Sequence, residues 1–382
     1  MPTRRPQVLL LTNYREDGQK SMLRFGKLLT EGLDPEAITS KEIFPKACFL
    51  PLSPTVSLKK WGGYVDKYLI FPRRLKKVLR EHKTSPELFH VIDHSNSVYL
   101  NHVPPNSKTR KFITCHDLIA LRMSLNEFKQ APEVSSSGKK LQKWIRASMG
   151  NSDIYACDSS DTEKDLHRLV PHSKDRTKII HLGVDRVPAK QGEQEQLPFE
   201  PAKTNYLLHV GSSAWYKNRK GVVEAFIHLQ KERELKDARL VFVGPELQPE
   251  ETKGLGNHAL DDLAKKIIIL DKVSESSLAG LYKKAMATIF PSFTEGFGWP
   301  PLEAKALGCP VITSKTGAIH DILGESATYV DPKNQKEINQ AILMIVRGEG
   351  RQKTSATIPT IEDCIGNYSK LYLQTIKSQG PT

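Results

Sequence analysis

The chain has 382 residues, of which 38% are hydrophobic and 26% are charged. This length suggests two domains, and the composition supports packed cores and excludes a disordered or fibrous protein. No apolar run approaches the ~18 residues that a membrane-spanning helix needs, and the short apolar stretch near the start predicts a strand, not a signal peptide. Five widely spaced cysteines without a C-x-x-C pair argue against a disulfide framework or a structural zinc site, so we predict a reducing, cytoplasmic compartment.

The net charge of +13 is unevenly distributed along the chain. Residues 1–186 contain 32 Lys and Arg against 20 Asp and Glu, whereas residues 187–382 contain 24 against 23. A basic half suits nucleic acid, an anionic membrane surface or a phosphorylated substrate as partner. A basic surface that serves only solubility is the remaining interpretation.

Short β-rich runs alternate with longer amphipathic ones, which predicts parallel sheets flanked by helices. In the first half we predict helices over residues 21–33 and 66–83 and strands over 7–12, 89–92, 112–115, 154–156 and 178–181. In the second half we predict strands over 206–210, 240–243, 267–270, 288–290 and 311–313, and helices over 222–234, 274–285, 302–307 and 359–377. Residues 187–204, rich in Pro, Gln and Glu, are typical of an interdomain linker.

The predicted helix over residues 66–83 is basic and amphipathic. Leu75, Val78 and Leu79 follow helical spacing. If this helix lay on a membrane, they would face the lipid, or the charges would act alone. The cations that project elsewhere are Arg73, Arg74, Lys76, Lys77 and Arg80. A packed surface helix with a solvated basic face is the alternative.

The most informative segment is PSFTEGFGWPPLEAKALGCPVITS, residues 291–314. It reads as a strand end, a glycine-bearing loop and a helix that starts at two prolines and stops at a glycine. The loop and helix start would present backbone N–H groups to a phosphate or sugar oxygen; these belong to Phe297, Gly298, Trp299 and Leu302.

Two glutamates, Glu295 and Glu303, flank these backbone donors. Because acidic groups would repel a phosphate, they make better sense as acceptors for hydroxyl groups on a ligand that also carries phosphate. The alternative is that they only favour the helix N-terminus electrostatically.

The run E-G-F-G-W-P-P-L-E resembles the E-x7-E motif of retaining glycosyltransferases of family 4, and residues 271–292 and 308–332 resemble the same family. The resemblance implies an α/β fold of the GT-B type, with two Rossmann-like domains whose parallel sheets face each other across a cleft. The implied divisions are an acceptor-side domain (1–186), a linker (187–204), a nucleotide-sugar-binding domain (205–358) and a C-terminal helical segment that crosses back to the first domain (359–382).

The resemblance also implies an activity in glycan biosynthesis. A hexose would move, with retention of configuration, from a UDP- or GDP-sugar to a glycan, lipid-linked or small-molecule acceptor. Glu303 would hold the ribose hydroxyls and Glu295 those of the transferred sugar, and the leaving phosphate would take the acceptor proton. The family needs no metal, the nucleotide-sugar is a substrate and not a cofactor, and the chain has no D-x-D run.

A second motif, HVGSSAWYKNRKGVVEAF, combines a strand, a polar loop and a helix start. Alignment of its K-N-x-x-G run with the family places the diphosphate-binding lysine at Lys217. The arginine that the family also uses falls on Ser212, so that Arg219 or Lys220 substitutes for it, or the Ser212 hydroxyl and loop amides suffice. A solvated basic loop is the alternative.

The first half carries weaker family features. In ITCHDLIALR, His116 and Asp117 follow a strand, and the family's equivalent histidine reaches the transferred sugar and acts in catalysis. A histidine after a strand is otherwise a structural hydrogen-bonding group. The first loop of the family is often double-glycine, whereas here only Gly18 permits a close backbone approach, so Gly18 and Asp117 are further candidates for contact with donor or acceptor.

Other classes of protein remain as alternatives. Another GT-B enzyme, such as a nucleotide-sugar epimerase, would share the motifs, and a non-enzymatic protein that binds nucleic acid or a membrane surface would use the basic half. A nicotinamide dehydrogenase lacks support because no G-x-G-x-x-G follows the first strand. No aromatic-and-basic motif of an RNA module is present, so nucleic acid is not expected, and a membrane-binding basic half would make the protein peripheral on the cytoplasmic face.

Overall fold

The computed structural model divides the chain into two compact units. Unit 1 comprises residues 1–127, 133–181 and 361–382, and unit 2 comprises residues 128–132 and 182–360. The described residues are 5–50, 56–81, 86–104, 107–184, 196–253, 265–349 and 356–378, so that much of the predicted linker lies outside them.

Unit 1 contains a parallel sheet flanked by helices. Its described strands are β1 (Gln7–Leu11), β2 (Thr39–Ile43), β3 (Leu88–Val91), β4 (Arg110–Cys115), β5 (Ile154–Cys157) and β6 (Thr177–Ile179). They pair in the order β2-β1-β3-β4-β5-β6. The α-helices of its first part are α1 (Lys20–Gly32), α2 (Val56–Val65), α3 (Phe71–Glu81), α4 (Ile119–Ser124), α5 (Ser136–Met149) and α6 (Ser160–Leu169). Short 3-10 helices cover Arg15–Asp17, His94–His102 and Pro171–Arg176.

Unit 2 repeats this plan. Its described strands are β7 (Tyr206–Val210), β8 (Arg239–Val243), β9 (Ile267–Leu270), β10 (Ala287–Phe290), β11 (Val311–Thr313) and β12 (Thr328–Tyr329), paired in the order β12-β11-β10-β7-β8-β9. Its α-helices are α7 (Arg219–Leu229), α8 (Pro249–Thr252), α9 (Glu275–Lys284), α10 (Trp299–Ala306), α11 (Ala318–Leu323) and α12 (Gln335–Val346). Trp215–Lys217 and Gly324–Ser326 form 3-10 turns.

Both sheets are doubly wound, and each reverses its strand order once. The reversal lies between β1 and β3 in unit 1 and between β7 and β10 in unit 2. The loops that leave the two strands at such a point diverge to opposite faces of the sheet, which opens a crevice at the strand carboxyl ends where ligands of these folds bind. The α/β fold with two Rossmann-like domains is confirmed.

The last helix, α13 (Ile361–Lys377), belongs to unit 1 although unit 2 precedes it in the chain. It packs on α1 so closely that a Cβ atom added at Gly32 would lie 2.2 Å from Ile365 Cδ1. Its Tyr372 hydroxyl lies 2.7 Å from Nδ1 of the buried His90, whose Nε2 lies 2.8 Å from the Thr114 hydroxyl. The helix therefore contributes hydrogen bonds as well as apolar area to the core beneath β3 and β4.

The basic run of unit 1 packs differently from the lipid-facing arrangement considered above. Leu75 and Leu79 are buried in the core of unit 1, and Val78 packs against that core. The lipid-facing arrangement is therefore wrong, and the alternative of a packed surface helix is confirmed, because the apolar stripe of α3 packs into the core of unit 1. None of the helices in the described ranges is long and apolar enough to cross a bilayer.

A π-helical turn, Asp66–Ile70, joins α2 to α3, and Pro72 follows it. The Phe71 N–H donates to the carbonyl of Asp66, five residues earlier. In the same register the Lys67 carbonyl would need the N–H of residue 72, which proline lacks. The Tyr99 hydroxyl donates to that carbonyl instead, at 2.9 Å.

We expect Tyr372→Phe to lower the free energy of unfolding of unit 1 by about 1–3 kcal/mol, because it leaves a buried His90 nitrogen without its partner. Urea unfolding followed by circular dichroism measures this change. Tyr64→Phe, on a partly exposed ring of the same unit, is the matched control. A loss no larger than that of the control would contradict the contribution of the hydroxyl.

Candidate functional site

Strand order brings the two predicted donor motifs of unit 2 together. The motif around Lys217 leaves the carboxyl end of β7, and the motif around Glu295 leaves that of β10. These strands are neighbours, with Leu207 paired to Ala287. The two loops therefore emerge side by side at the reversal point of the sheet.

The K-N-x-x-G run forms the entry to α7. Asn218 adopts the left-handed conformation with a φ of 52°, and its side-chain oxygen accepts the N–H of Gly221 at 3.3 Å. Its amide nitrogen donates to the Pro332 carbonyl at 2.9 Å. A Cβ atom at Gly221 would lie 2.8 Å from the Asn218 amide, so this cap requires glycine there, and it fixes the residue before it, Lys217.

The glycine-bearing loop of the second motif is held equally tightly. Gly298 has a φ of 84°, and a Cβ atom on it would lie 2.5 Å from Ile319. Gly317, with a φ of 59°, would place a Cβ atom 2.4 Å from the Gly296 carbonyl oxygen. The Glu295 N–H also donates to the Thr316 hydroxyl at 3.0 Å. The loop after β11 thus fixes the backbone that carries Glu295.

Lys217 and Glu295 form a nearly buried ion pair. The lysine Nζ lies 2.8 Å from Oε1 and 2.9 Å from Oε2, and the two side chains are 13% and 5% exposed. The Phe293 N–H donates to the Tyr216 carbonyl at 2.8 Å, and the Phe293 ring stacks on Trp215. Side chains and backbone therefore both join the two loops.

A neutral histidine lies beneath the ion pair. His209, at the end of β7, is fully buried, its Nδ1 lies 2.8 Å from the Ile289 carbonyl, and its ring stacks on Phe290. Burial, reinforced by the cations of Arg219 and Lys217, lowers the pKa of His209 to about 3. The imidazole is neutral, so Lys217 supplies the positive charge at this point.

The predicted donors of the second loop hold unequal positions. Gly298 caps α10 and Trp299 is its first residue. The next two residues are prolines without an N–H, so the N–H groups at this helix start that have no partner within the helix belong to Gly298 and Trp299. Leu302 is the fourth residue, whose N–H closes the first intrahelical bond, and its side chain is fully buried. Phe297 is also buried and packs edge-on against Trp299.

Glu303 lies in the same helix as these donors and faces α9. It is half-buried, and Tyr282, on α9, donates its hydroxyl to the carboxylate at 3.3 Å. The structure thus gives the two glutamates of the motif different partners, a lysine for Glu295 and a tyrosine for Glu303.

Arg219 does not lie where the sequence placed it. Its side chain is 1% exposed, donates to the Pro245 carbonyl at 2.9 Å and lies 3.2 Å from a Glu251 oxygen. Arg219 is the first residue of α7, and its side chain points into unit 2 towards Pro245 and Glu251. It is therefore unavailable to a diphosphate. Lys220 is half exposed and lies 3.7 Å from Glu224 on its own helix, and Ser212 is exposed.

A separate cavity of about 600 Å³ opens at the carboxyl ends of β10, β11 and β12. Its lining includes Ser292, Ser314 and Thr316 but none of the predicted donor residues. Ser292 and Phe293, which line it, precede Glu295 in the loop after β10, and Thr316, which also lines it, accepts the Glu295 N–H.

In unit 1, His116 follows β4 and uses both ring nitrogens inside the unit. Nδ1 lies 2.6 Å from Asp158 Oδ2, and Nε2 lies 2.8 Å from the Ile92 carbonyl. Both partners are acceptors, so the ring is a doubly donating imidazolium. Although burial opposes the charge, Asp158, with a contribution from Asp93, raises the pKa of His116 to about 9. The contact of His116 with the transferred sugar stays a prediction.

The reversal point of unit 1 holds a polar pair that the sequence did not indicate. Asn13, after β1, donates to Asp93, after β3, at 2.6 Å. Gly18 ends a 3-10 turn with a φ of 65°, and its N–H donates to the Arg15 carbonyl. Asp117 accepts the Ile119 N–H at the start of α4. Asp158 and Asp93 each follow a predicted strand, which is the signal that would have found them.

Comparison with known families agrees with this geometry. Residues 190–358 match the family model of glycosyl transferases group 1, and residues 47–187 match that of Glycosyltransferase Family 4. The two matches together take in most of the chain. The chain therefore belongs to glycosyltransferase family 4 and has the GT-B fold, as the motifs led us to expect.

Three curated relatives illustrate the likeness. O-antigen chain mannosyltransferase RfbU of Salmonella typhimurium is 36% identical over 37% of this chain and 38% of its own length. O-antigen chain mannosyltransferase B of Escherichia coli is 25% identical over 76% of this chain and 73% of its own length. D-inositol 3-phosphate glycosyltransferase of Corynebacterium glutamicum is 26% identical over 56% and 52%. The match thus spans less than two thirds of two of these relatives.

Solved structures share the fold at lower identity. Sucrose-phosphate synthase from Thermosynechococcus elongatus has a TM-score of 0.72 at 18% identity, over 98% of this chain and 100% of that chain. HepE from Anabaena, solved in complex with UDP and glucose, has a TM-score of 0.64 at 13% identity, over 98% of each chain.

We expect the His116–Asp158 pair to stabilise unit 1 in acid and to weaken in base. Since the folded-state pKa of His116 is raised to about 9, the stabilisation is complete below the unfolded value of about 6.5 and is lost as the pH rises through 9. Its upper size is about 3–4 kcal/mol, at about 1.4 kcal/mol for each pKa unit. Urea unfolding at pH 6 and pH 10 measures the change.

The matched control for this experiment is the double variant His116→Gln with Asp158→Asn. It removes both charges and leaves every other titrating group in place, so the pH-dependent difference between wild type and variant isolates the pair. An identical pH dependence in both proteins would show that His116 is not held as a cation.

Proposed function

We propose that this glycosyltransferase moves a hexose, with retention of configuration and without a metal ion, from a nucleotide diphosphate sugar to a glycan, lipid-linked or small-molecule acceptor. Unit 2 holds the donor, and unit 1 serves the acceptor. The observation that carries the proposal is the ion pair between Lys217 and Glu295 at the reversal point of the second sheet.

The proposed donor site combines one nearly buried cation, Lys217, with the N-terminus of α10. Lys217 neutralises the diphosphate, and the N–H groups of Gly298 and Trp299 donate to its oxygens. Glu303, whose carboxylate accepts the Tyr282 hydroxyl, binds the ribose hydroxyls. Since Arg219 is buried and Ser212 has only a hydroxyl, Lys217 does the work that the family shares between a lysine and an arginine.

Donor binding is then an exchange of partners. In the chain without ligand, each member of the pair satisfies the charge of the other. The diphosphate takes the lysine, and the sugar hydroxyls take the carboxylate. Because the pair is already desolvated, a diphosphate sugar can replace it, whereas a bare diphosphate leaves Glu295 buried without a cation, which is costly.

The proposed chemistry needs no carboxylate nucleophile. The bond from the anomeric carbon to the diphosphate oxygen breaks, the acceptor oxygen bonds to that carbon on the same face, and the acceptor proton passes to the leaving phosphate. Lys217 and the helix-terminal N–H groups stabilise the departing charge. A retaining glycosidase would use a carboxylate as nucleophile, whereas in the proposed complex the hydroxyls of the transferred sugar bind Glu295.

We expect Lys217→Ala to weaken binding of a free nucleoside diphosphate roughly tenfold or more, because a charge-assisted contact contributes about 1.5–3 kcal/mol. Lys220→Ala, on an exposed side chain one turn along, should change it much less. Glu295→Gln releases the lysine and should bind the diphosphate at least as tightly as wild type while transfer falls. Calorimetric titration with UDP and GDP measures all three.

Equal losses for Lys217→Ala and Lys220→Ala, or the reverse order, would move the diphosphate contact to Lys220. Weaker diphosphate binding by Glu295→Gln would contradict the exchange of partners, because the ion pair would then be supporting the site and not competing with the ligand.

The proposal as a whole is tested with a thermal-shift panel of UDP-, GDP- and ADP-sugars. Mannosyl donors come first, because two of the relatives are named mannosyltransferases. A ligand at 100 times its dissociation constant stabilises by about 2.7 kcal/mol. We expect one donor to give this shift and Glu303→Ala to abolish it, since two charge-assisted hydrogen bonds contribute about 3–5 kcal/mol.

Tyr282→Phe is the matched control, because it removes the hydroxyl contact to Glu303 and keeps the carboxylate. An unchanged dissociation constant in Glu303→Ala would refute the ribose assignment. Nuclear magnetic resonance of the product reports the anomeric configuration, and inversion would refute the mechanism. Isomerisation of the donor without acceptor would assign the chain to the epimerase class instead.

A further inference from the structure

The cavity of about 600 Å³ at the carboxyl ends of β10, β11 and β12 takes no part in the proposed donor site. Its volume lies within the range of small-molecule sites and is large enough for one or two sugar rings. Hydroxyl and charged side chains dominate its lining. The polar residues on which the inference rests are Ser292, Ser314, Lys315, Thr316, Tyr329 and Glu337.

Two hydroxyl groups of this lining are buried without a hydrogen-bond partner. Ser292 is fully buried, and its Oγ has no partner among the described residues. The hydroxyl oxygen of Tyr329 is likewise buried and without a described partner. Burial, with a contribution from Asp321, raises the pKa of Tyr329 to about 12, so this hydroxyl keeps its proton. Because unpaired buried hydroxyls destabilise the protein without ligand, two of them at one cavity indicate a ligand that supplies the partners.

The loops around the cavity position further hydrogen-bonding groups. The Ser314 hydroxyl donates to the Ser292 carbonyl, which joins the loops after β10 and β11. The Thr316 hydroxyl accepts the Glu295 N–H at 3.0 Å, so its own proton is left for another acceptor. The Lys315 ammonium lies 5.6 Å from the centre of the Tyr329 ring. The cavity therefore combines hydroxyl donors with an ammonium group.

The charges of the lining decide between classes of ligand. Two carboxylates, Asp331 and Glu337, face one cation, Lys315, so the lining disfavours an anion. In the described ranges, no three His, Cys, Asp or Glu side chains are grouped to hold a metal ion. An apolar ligand would leave the hydroxyls unpaired. Sugar hydroxyls donate to carboxylates and accept from hydroxyl and ammonium groups, and a sugar's C–H face packs on rings such as those of Phe293 and Tyr329.

We infer that this cavity binds a neutral saccharide of one or two rings. Tyr329 and Thr316 donate their hydroxyl protons to it, and Glu337 accepts from its hydroxyls. The Ser292 hydroxyl turns towards it by rotation about a single side-chain bond between staggered positions. The inference concerns binding by unit 2 and does not rest on the proposed function, whose donor residues do not line the cavity.

The test is saturation-transfer nuclear magnetic resonance on the full chain. The probes are the methyl glycosides of mannose, galactose and glucose, together with mannobiose, lactose and maltose. We expect at least one probe to bind saturably at millimolar concentration, and excess UDP, GDP or inorganic phosphate not to displace it. Stronger binding of a disaccharide supports a site for part of a glycan, and stronger binding of a methyl glycoside supports a site for a free sugar.

Ser292→Ala and Tyr329→Phe should each weaken this binding about three- to tenfold, as expected for the loss of one hydrogen bond. Neither should lower the unfolding temperature of the protein without ligand, because neither hydroxyl has a described partner to lose. The matched controls are Ser173→Ala, which removes an unpaired buried hydroxyl in unit 1, and Tyr206→Phe, which removes a hydroxyl that donates to the Leu281 carbonyl. Both should bind the probe as wild type does, and Tyr206→Phe should unfold at a lower temperature.

The inference is overturned if none of the probes binds, or if UDP, GDP or phosphate displaces the bound probe. It is also overturned if the cavity variants and the controls bind the probe equally well. The absence of any donor shift in the thermal-shift panel would refute the proposed function and leave this inference in place.

Discussion

Lys217 and Glu295 meet because the second sheet reverses its strand order between the strands that carry them. A nearly buried ion pair is stable only if its geometry is complete, since either charge alone would be left desolvated. The surrounding loops meet that demand. Asn218 caps the helix after Lys217, and the Thr316 hydroxyl accepts the N–H of Glu295. Gly317, which has no Cβ atom, lets the loop after β11 approach the Gly296 carbonyl closely.

Both units place charged groups at the carboxyl ends of their parallel strands, but the charges are arranged differently. At its reversal point unit 2 has a lysine above a neutral histidine. Near the corresponding strand ends unit 1 has a histidine cation that faces buried carboxylates, with Asp158 in direct contact and Asp93 close enough to affect its pKa. In both units the charged groups follow strands directly, because a parallel sheet delivers its strand ends to one edge.

Alternation of patterns along the chain was sufficient to predict the parallel sheets and most strands. Strand β2, TSKEI, escaped because it is polar, with one buried residue, Ile43; β12 has only two residues. The K-N-x-x-G run located Lys217, but the inward turn of Arg219 depends on Pro245 and Glu251, which are distant in sequence. The pairing of His116 with Asp158 spans 42 residues, and periodicity carries no information about such contacts. Helical spacing in the basic run identified the apolar stripe but not whether core or solvent faces it.

The position of α13 has a consequence for the order in which the chain acquires its structure. Unit 2 draws almost all of its residues from one continuous stretch, whereas unit 1 needs residues 361–377 to give His90 and Thr114 their tyrosine partners. During synthesis, domains generally fold as units from the N-terminus. Here the unit that starts first is completed last, so His90 and Thr114 lack their tyrosine partners while the ribosome makes the whole of unit 2. Residues of the second half can therefore be fully folded before the first half is closed.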